Sequence, residues 1–450
     1  MWKLGLKTDL LPIIYKLNEE SEITVKTPLG NTNRFIIPRV CKQGTVLIPP
    51  LCSASVAECC DEHKTGGASI GSLVIRSLAF MDDLMDLNTT VRDSHSAHND
   101  VTFFSKKKNM PLNEDKCICM AVNNKHPHPT PVLTLNNKTL KMKKEAKYLG
   151  DVFNENGNNS GLIKDRKNTA IRCLISCMAE CQSITRGVKV IRSKALLYKS
   201  VYLQTVIFNC EAWDNLTKTD IHQLEILQMK YLKRMLQVPK ATPNNIVMLE
   251  LGVIPIEMEI KSRQLNFYHK ILQLEESDPV KQAFEQEKRY PFEKNWANEI
   301  METLSRFEIQ ESEEVIKAMP EQTWKNIYKK RIKEVAFKQL LEERLKKGAN
   351  LRYEKLSRRG YFDILPFQDA KLIFKLRAEV YDIKAFRKFQ YEDDICRLCN
   401  AGTENLEHIV NLCPEVPRTD SVTDLLTEDL DDLKAMIRRV KFFDEMVNLV

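Results

Sequence analysis

Leu73-Val74-Ile75-Arg76-Ser77-Leu78-Ala79-Phe80-Met81-Asp82-Asp83-Leu84 is a mostly apolar run that ends on two adjacent carboxylates and then turns apolar again. It has the length of a strand, and its polar break predicts a turn leading into a second strand. Adjacent carboxylates at a turn concentrate negative charge where a divalent cation can sit, and hard oxygen ligands suit Mg²⁺. Two such ions about 3.5–4 Å apart stabilise the attacking and leaving oxygens of nucleotidyl transfer. By itself an Asp-Asp pair in a turn is more often a solvated acidic turn, so the flanking sequence decides between the two.

Outward from this turn, residues 1–155 read as mixed α/β. Ile23–Thr27 and Arg34–Ile37 are β-branched runs separated by a Gly30-Asn31 turn, the pattern of a hairpin. Cys117–Val122 and Lys147–Gly150 are further strand candidates, and Asn154–Asn159 marks a loop and a domain edge. From about 160 onward the pattern turns helical. In Asp220–Leu236, Ile221, Leu224, Leu227, Tyr231, Leu232 and Met235 recur at three- and four-residue spacing, with Asp220 and Gln223 as a capping-box-like start. Pro243 and Pro255 break the next segment of chain.

The chain is an ordinary globular one of 450 residues, 43% hydrophobic and 29% charged, long enough for roughly three domains. No run of eighteen apolar residues is present, so a bilayer span is not expected. The opening Met1–Lys7 lacks a signal-peptide core, which predicts a nuclear or cytoplasmic protein. The net charge of +7 conceals blocks: residues 275–314 carry 12 acidic against 5 basic residues, 321–390 carry 19 basic against 9 acidic, and 391–450 carry 14 acidic against 6 basic. Of 13 cysteines, ten lie in apolar segments and read as core residues in a reducing compartment.

Four segments fall in order along the first third of the chain. Cys41-Lys42-Gln43-Gly44-Thr45-Val46-Leu47-Ile48-Pro49-Pro50-Leu51 precedes the Phe80-Met81-Asp82-Asp83 turn. Pro111-Leu112-Asn113-Glu114-Asp115-Lys116 and then Lys147-Tyr148-Leu149-Gly150 come after it. This set resembles motifs B, C, D and E of non-LTR (LINE-type) retrotransposon reverse transcriptases. The likeness continues through Ala195-Leu196-Leu197-Tyr198-Lys199, Glu211-Ala212-Trp213, the Asp220–Leu236 helix and Leu249-Glu250-Leu251-Gly252, which resemble that family's thumb.

The resemblance implies an α+β chain, a partial polymerase palm followed by a mostly helical thumb, acting on an RNA template and a DNA primer or target. It implies that Asp82 is a Mg²⁺ ligand, with Asp83 its more weakly coordinating neighbour. Gln43 and Gly44 would line the template and nucleotide side, Lys116 would donate a proton to the leaving pyrophosphate, and Tyr148 and Gly150 would belong to the primer grip. Taken singly, Gln43-Gly44 also reads as a simple turn and Lys116 as a solvated lysine. Met81 stands where the class usually has alanine, adding bulk without removing a ligand. The family's further metal-binding aspartate, in motif A, should precede Gln43. Asp9 is the only aspartate in the first forty residues, and its surroundings resemble the helix after motif A. The expectation is a truncated RNA-directed DNA polymerase, inactive as this chain alone, with a non-catalytic RNA- and DNA-binding protein as the alternative.

A second cluster is Cys396-x₂-Cys399-x₈-His408-x₄-Cys413. Soft thiolates with one imidazole suit tetrahedral Zn²⁺, and four protein ligands leave no open position, which predicts a structural ion. With Glu404-Asn405-Leu406-Glu407-His408 and Cys413-Pro414, the cluster resembles the CCHC knuckle that helps hold nucleic acid downstream of the thumb in the same family. Cys52, Cys59, Cys60 and His63 form a weaker set inside an apolar, helix-like run. Lys329, Lys330, Arg331, Arg358 and Arg359 lead the basic block, with Trp324, Tyr328, Tyr353, Tyr361, Phe386 and Phe389 interleaved. Cations neutralise phosphates and aromatics stack on unpaired bases; the alternative is a solvated face over an aromatic core. The implied domains are palm (1–155), thumb (156–275), a charged helical connection basic from about 321 (276–390), and knuckle with an acidic helix pair (391–450).

Overall fold

The computed structural model of the chain describes residues 9, 11–18, 21–37, 48–62, 64–123, 132–183, 189–290, 294–346, 353–418, 422 and 424–449. Two compact units emerge, Met1–Lys144 and Glu145–Val450. Many helices and few short strands make the chain α+β in the coarse sense expected. No described helix is long and apolar enough to cross a membrane.

In the first unit, Ser21–Ile23 pairs antiparallel with Phe35–Ile37, and Lys26–Thr27 with Gly30–Asn31. The expected hairpin is present, but Gly30 and Asn31 belong to a strand and the turn is Pro28-Leu29. Pro28 presets a turn φ, and the Thr27 hydroxyl closes the turn by donating to the Gly30 carbonyl at 2.7 Å. The run Leu73–Phe80 is two strands, not one, interrupted at Arg76. Leu73–Ile75 pairs back on Ala68–Ile70, and Ser77–Phe80 pairs forward with Asp83–Asp86. Ile118–Cys119 is shorter than its apolar run and lies parallel to Lys141–Met142.

Two helices, Ile48–Glu62 and Val91–Lys108, pack with each other, and the first also covers Ser77–Phe80. Thr90 caps the second by accepting the Asp93 N–H at 3.1 Å. The buried apolar set includes Val56, Cys59, Ala97, Val101 and Phe104. Among the described residues the strands form two-stranded ladders only. Leu78 and Phe80 accordingly remain 40% and 57% exposed.

The second unit opens on the hairpin Glu145–Tyr148/Asp151–Asn154. Arg166, on the helix Ser160–Ser183, donates to the Gly150 carbonyl at 2.7 Å and pairs with Asp151. Asn209 donates to the Leu149 carbonyl at 2.9 Å. These bonds tie the hairpin to the helices, so the division between units falls before it and not at the Asn154–Asn159 loop.

Helix Lys218–Leu236 buries Leu224, Leu227, Tyr231, Leu232 and Met235, as its periodicity requires. It begins earlier than expected, because Thr217 is the cap and Asp220 its reciprocal partner. The Thr217 hydroxyl accepts the Asp220 N–H at 3.1 Å, and the Asp220 carboxylate accepts the Thr217 N–H at 2.9 Å. Pro243 and Pro255 immediately precede the helices Asn244–Leu251 and Ile256–Gln273. Helix Glu321–Leu345 turns Trp324, Tyr328, Ile332, Ala336 and Leu340 inward. After residue 413 a single described helix, Leu430–Val447, stands where an acidic pair was expected.

A buried carboxylate joins these parts. Glu250, fully buried, accepts the Tyr361 hydroxyl at 2.7 Å and the Tyr353 hydroxyl, and lies 3.6 Å from Arg377. Arg377 also reaches Glu428 at 3.2 Å and the Leu426 carbonyl at 3.1 Å. Next to it, Gly252 takes φ 63° and a Cβ there would sit 2.3 Å from the Arg358 nitrogen. Glycine therefore lets the Arg358 backbone pair with Leu251.

Candidate metal centre

The donor atoms of Cys396, Cys399, His408 and Cys413 lie within 4.8 Å of one another. A tetrahedron with Zn–S near 2.3 Å has S···S edges of about 3.8 Å, so small adjustments seat one ion. The Cys399 sulfur is already 3.3 Å from His408 Nε2, close to the ~3.6 Å edge of a mixed S/N tetrahedron. The chemistry and spacing of the donors fit a metal ion such as zinc, bound by four protein ligands.

The local chain explains the assembly. Ile395 and Thr403 pair as an antiparallel bridge, and the Cys396 N–H donates to the Gly402 carbonyl at 3.0 Å. Asn400 (φ 54°) and Gly402 (φ 71°) take the left-handed backbone that folds the loop back. A Cβ at Gly402 would lie 3.1 Å from the His408 ring, so the glycine seats the imidazole. The Asn405 side chain accepts the His408 N–H at 2.7 Å.

Burial pushes the Cys413 thiol up to about 12 and raises that of Cys396. Backbone N–H groups of Leu398 and Cys399 act against this at Cys396, and that of Glu415 does so at Cys413. The same N–H groups would support thiolates bound to a cation. Burial also lowers the His408 imidazole, and the Arg418 charge adds to this, which keeps the ring neutral and ready to ligate. Metal binding would release protons from the thiols.

In the sequence, Glu404 stands out only as an acidic residue inside the loop. It is fully buried, and accepts the Arg397 N–H at 2.9 Å and the Arg397 Nη2 at 2.7 Å. Its carboxylate also accepts the Lys384 N–H at 3.0 Å. Arg397, between two of the candidate ligands, also reaches Asp382 at 3.2 Å. This pair docks the loop on the 382–385 segment. The available signal was an acid, Glu404 or Glu407, amid Cys/His spacing seven to ten residues after an arginine, and which of the two pairs with Arg397 could not be read from one dimension.

The Asp82-Asp83 turn is formed, with Phe80 opposite Asp83 in the ladder and both aspartates exposed. Met81 takes φ 56°, the region that favours glycine, so its side chain adds backbone strain as well as bulk. Among the described residues no third carboxylate, imidazole or thiol joins Asp82 and Asp83 at metal-binding distance. Lys116 is exposed on a turn whose N–H donates to the Asn113 carbonyl. Gln43 and Gly44 lie outside the described residues, as does His63 of the weaker cysteine set; its Cys52, Cys59 and Cys60 sit on the helix Ile48–Glu62.

Tyr148 pairs with Asp151 across a tight turn formed by Leu149 (φ 46°) and Gly150 (φ 92°), both left-handed. Lys329, Lys330 and Arg331 are exposed on the outer face of Glu321–Leu345. Arg358 and Arg359 are engaged within the fold. The first bonds Asp363 at 2.8 Å, and the second lies 4.1 Å over the Tyr353 ring. Trp324, Tyr328, Tyr353 and Tyr361 are core residues, so of the six interleaved aromatics only Phe386 and Phe389 retain accessible rings. No protein-family model matches the chain, and no curated protein matches it.

Proposed function

We propose that this chain is a nucleic-acid-binding protein derived from a non-LTR retrotransposon reverse transcriptase, and that it does not polymerise DNA by itself. The observation that carries the binding half is the exposed Lys329, Lys330 and Arg331 face in the same compact unit as a four-donor Cys/His centre. Cations of that kind neutralise phosphates, and a closed zinc site stabilises a small loop in the same unit. The hairpin at Phe80–Asp83 stands for the family's polymerase turn. Mg²⁺ enters this reading through Asp82 and Asp83 alone, with Gln43, Gly44, Lys116, Tyr148 and Gly150 in the roles that the resemblance implies. A two-metal reaction needs more than that pair of adjacent ligands.

Two assays on the full chain test the proposal. Primer extension on a homopolymeric RNA template with Mg²⁺ should give no product; incorporation that disappears in Asp82→Ala would reveal a working polymerase. RNA and DNA binding should weaken steeply between 50 and 200 mM salt, whereas absent or salt-insensitive binding would remove the binding half.

A further inference from the structure

A groove of about 390 Å³ opens on the second unit, lined by Arg166, Ser200, Val201, Gln204, Thr205 and Phe208. Phe208 is 47% exposed. A Cβ at Gly150 would lie 2.8 Å from the ring, and the Arg166 guanidinium sits 5.4 Å from its centre. The hairpin tip therefore meets the edge of the ring at Cε1 and the arginine lies over the ring, while about half of Phe208 stays exposed on the groove. Such a ring is held in place without a bound partner, as a stacking platform needs.

The groove wall is unusual in its backbone. Tyr198–Tyr202 is a π-helical turn, which places Ser200 and Val201 on the groove and leaves Lys199 exposed. Arg263, from the helix Ile256–Gln273, reaches the same wall, donating to Gln204 Oε1 at 2.6 Å and to the Ile207 carbonyl at 3.2 Å. One turn earlier on that helix, Glu259 feels the positive charges of Lys199, Arg263, Lys329 and Lys333 together. Four cations from three separate elements thus share one electrostatic neighbourhood that extends from the groove to the basic helix. Arg166, only 4% exposed, keeps its Nε–H without a partner among the described residues.

We propose that this groove holds an unpaired base of RNA or DNA, stacked on the exposed ring of Phe208. The adjoining phosphates lie against Arg263 and Lys199, and the strand continues toward Lys329 and Lys333. Charge selects a polyanion, and an exposed ring selects a base freed from its duplex, since a paired base has no free face to offer. This site rests on the nucleic-acid-binding reading above and names where that binding occurs.

The test measures anisotropy of fluorescein-labelled oligo-rU, oligo-dT and a blunt duplex on the full chain. Phe208→Ala should weaken both single strands about tenfold, in line with the loss of one aromatic–base stack, and leave duplex affinity unchanged. Phe208→Trp should restore affinity, and the added indole should be quenched by single strands. Lys329→Gln with Lys333→Gln should reduce the single-strand salt slope by about 1.4, roughly 0.7 for each lysine lost. Equal responses of oligo-rU and oligo-dT identify shared base and phosphate chemistry, and a preference for oligo-rU identifies RNA as the strand that stacks. Salt-dependent binding unaffected by either Phe208 variant, with the added indole unquenched, would overturn the groove and leave the broader reading intact. No binding of any oligomer would overturn both. If Phe208→Ala unfolds, the quenching and rescue in Phe208→Trp decide alone.

Discussion

Replacing Glu250 by leucine should destabilise the second unit by about 3 kcal/mol. Glu250 is completely buried and is the acceptor for two hydroxyls, those of Tyr361 at 2.7 Å and of Tyr353. Both tyrosines are themselves buried, at 0% and 9% exposure, so water does not replace the lost acceptor. Each orphaned donor costs about 1–3 kcal/mol. The guanidinium of Arg377 is not orphaned, because Glu428 at 3.2 Å and the carbonyl of Leu426 at 3.1 Å remain. The loss therefore stays toward the lower end of the roughly 3–5 kcal/mol seen when a buried charge is left alone. Urea unfolding followed by tryptophan fluorescence reports on this unit, since Trp213, Trp296 and Trp324 all belong to it. Glu334→Ala is the control: its partner Arg331 is 3.4 Å away and both side chains are about half exposed, so it should move the curve by no more than about 0.5 kcal/mol. Glu250→Gln should fall between the two, because a carboxamide oxygen still accepts one hydroxyl. Equal stabilities of Glu250→Leu and Glu334→Ala would refute the view that this carboxylate organises the unit.

Two further expectations concern charge and metal. Burial holds the Glu259 carboxyl above the usual range, and Lys199, Arg263, Lys329 and Lys333 pull it back only in part. A raised folded value means that the stabilising contribution is present below the unfolded value and is lost as pH rises through the folded one. Glu259→Gln should therefore melt higher than the parent at pH 7, with the difference vanishing below about pH 4; a constant difference from pH 4 to 8 would contradict this. The chain should bind one zinc, and Cys399→Ala or a strong chelator should speed hydrogen exchange at the amides of Cys396, Glu404 and Cys413 while leaving Lys218–Leu236 unchanged. Undiminished zinc content in Cys399→Ala would remove the centre as assigned.

The elements that were legible in the sequence share one property: their signal is local. The Lys218–Leu236 stripe, the Ser77–Asp86 turn and the Cys/His spacing each arise from residues a few positions apart. Where the expectation slipped, a competing local bond decided. Thr217 took the capping role from Asp220, and Pro28 took the turn from Gly30-Asn31. The basic block was legible as charge but not as geometry: Trp324 and Tyr328 read as stacking residues, and helical phase turned them into core.

By itself, then, the sequence determined the helical content, the acidic turn and the four-donor set, because period, turn chemistry and ligand spacing act over a few residues. Only tertiary structure decided which charges are free and which are spent. Glu404 and Glu250 look like surface acids in one dimension, yet each is buried against cations and donors brought from far along the chain. Arg263, Lys199 and Lys333 come together from three elements around Glu259. Phe208 meets the Gly150 turn, some sixty residues earlier in the chain, only in the folded structure. Burial and convergence are properties of contacts between distant residues, and no single stretch of sequence carries them.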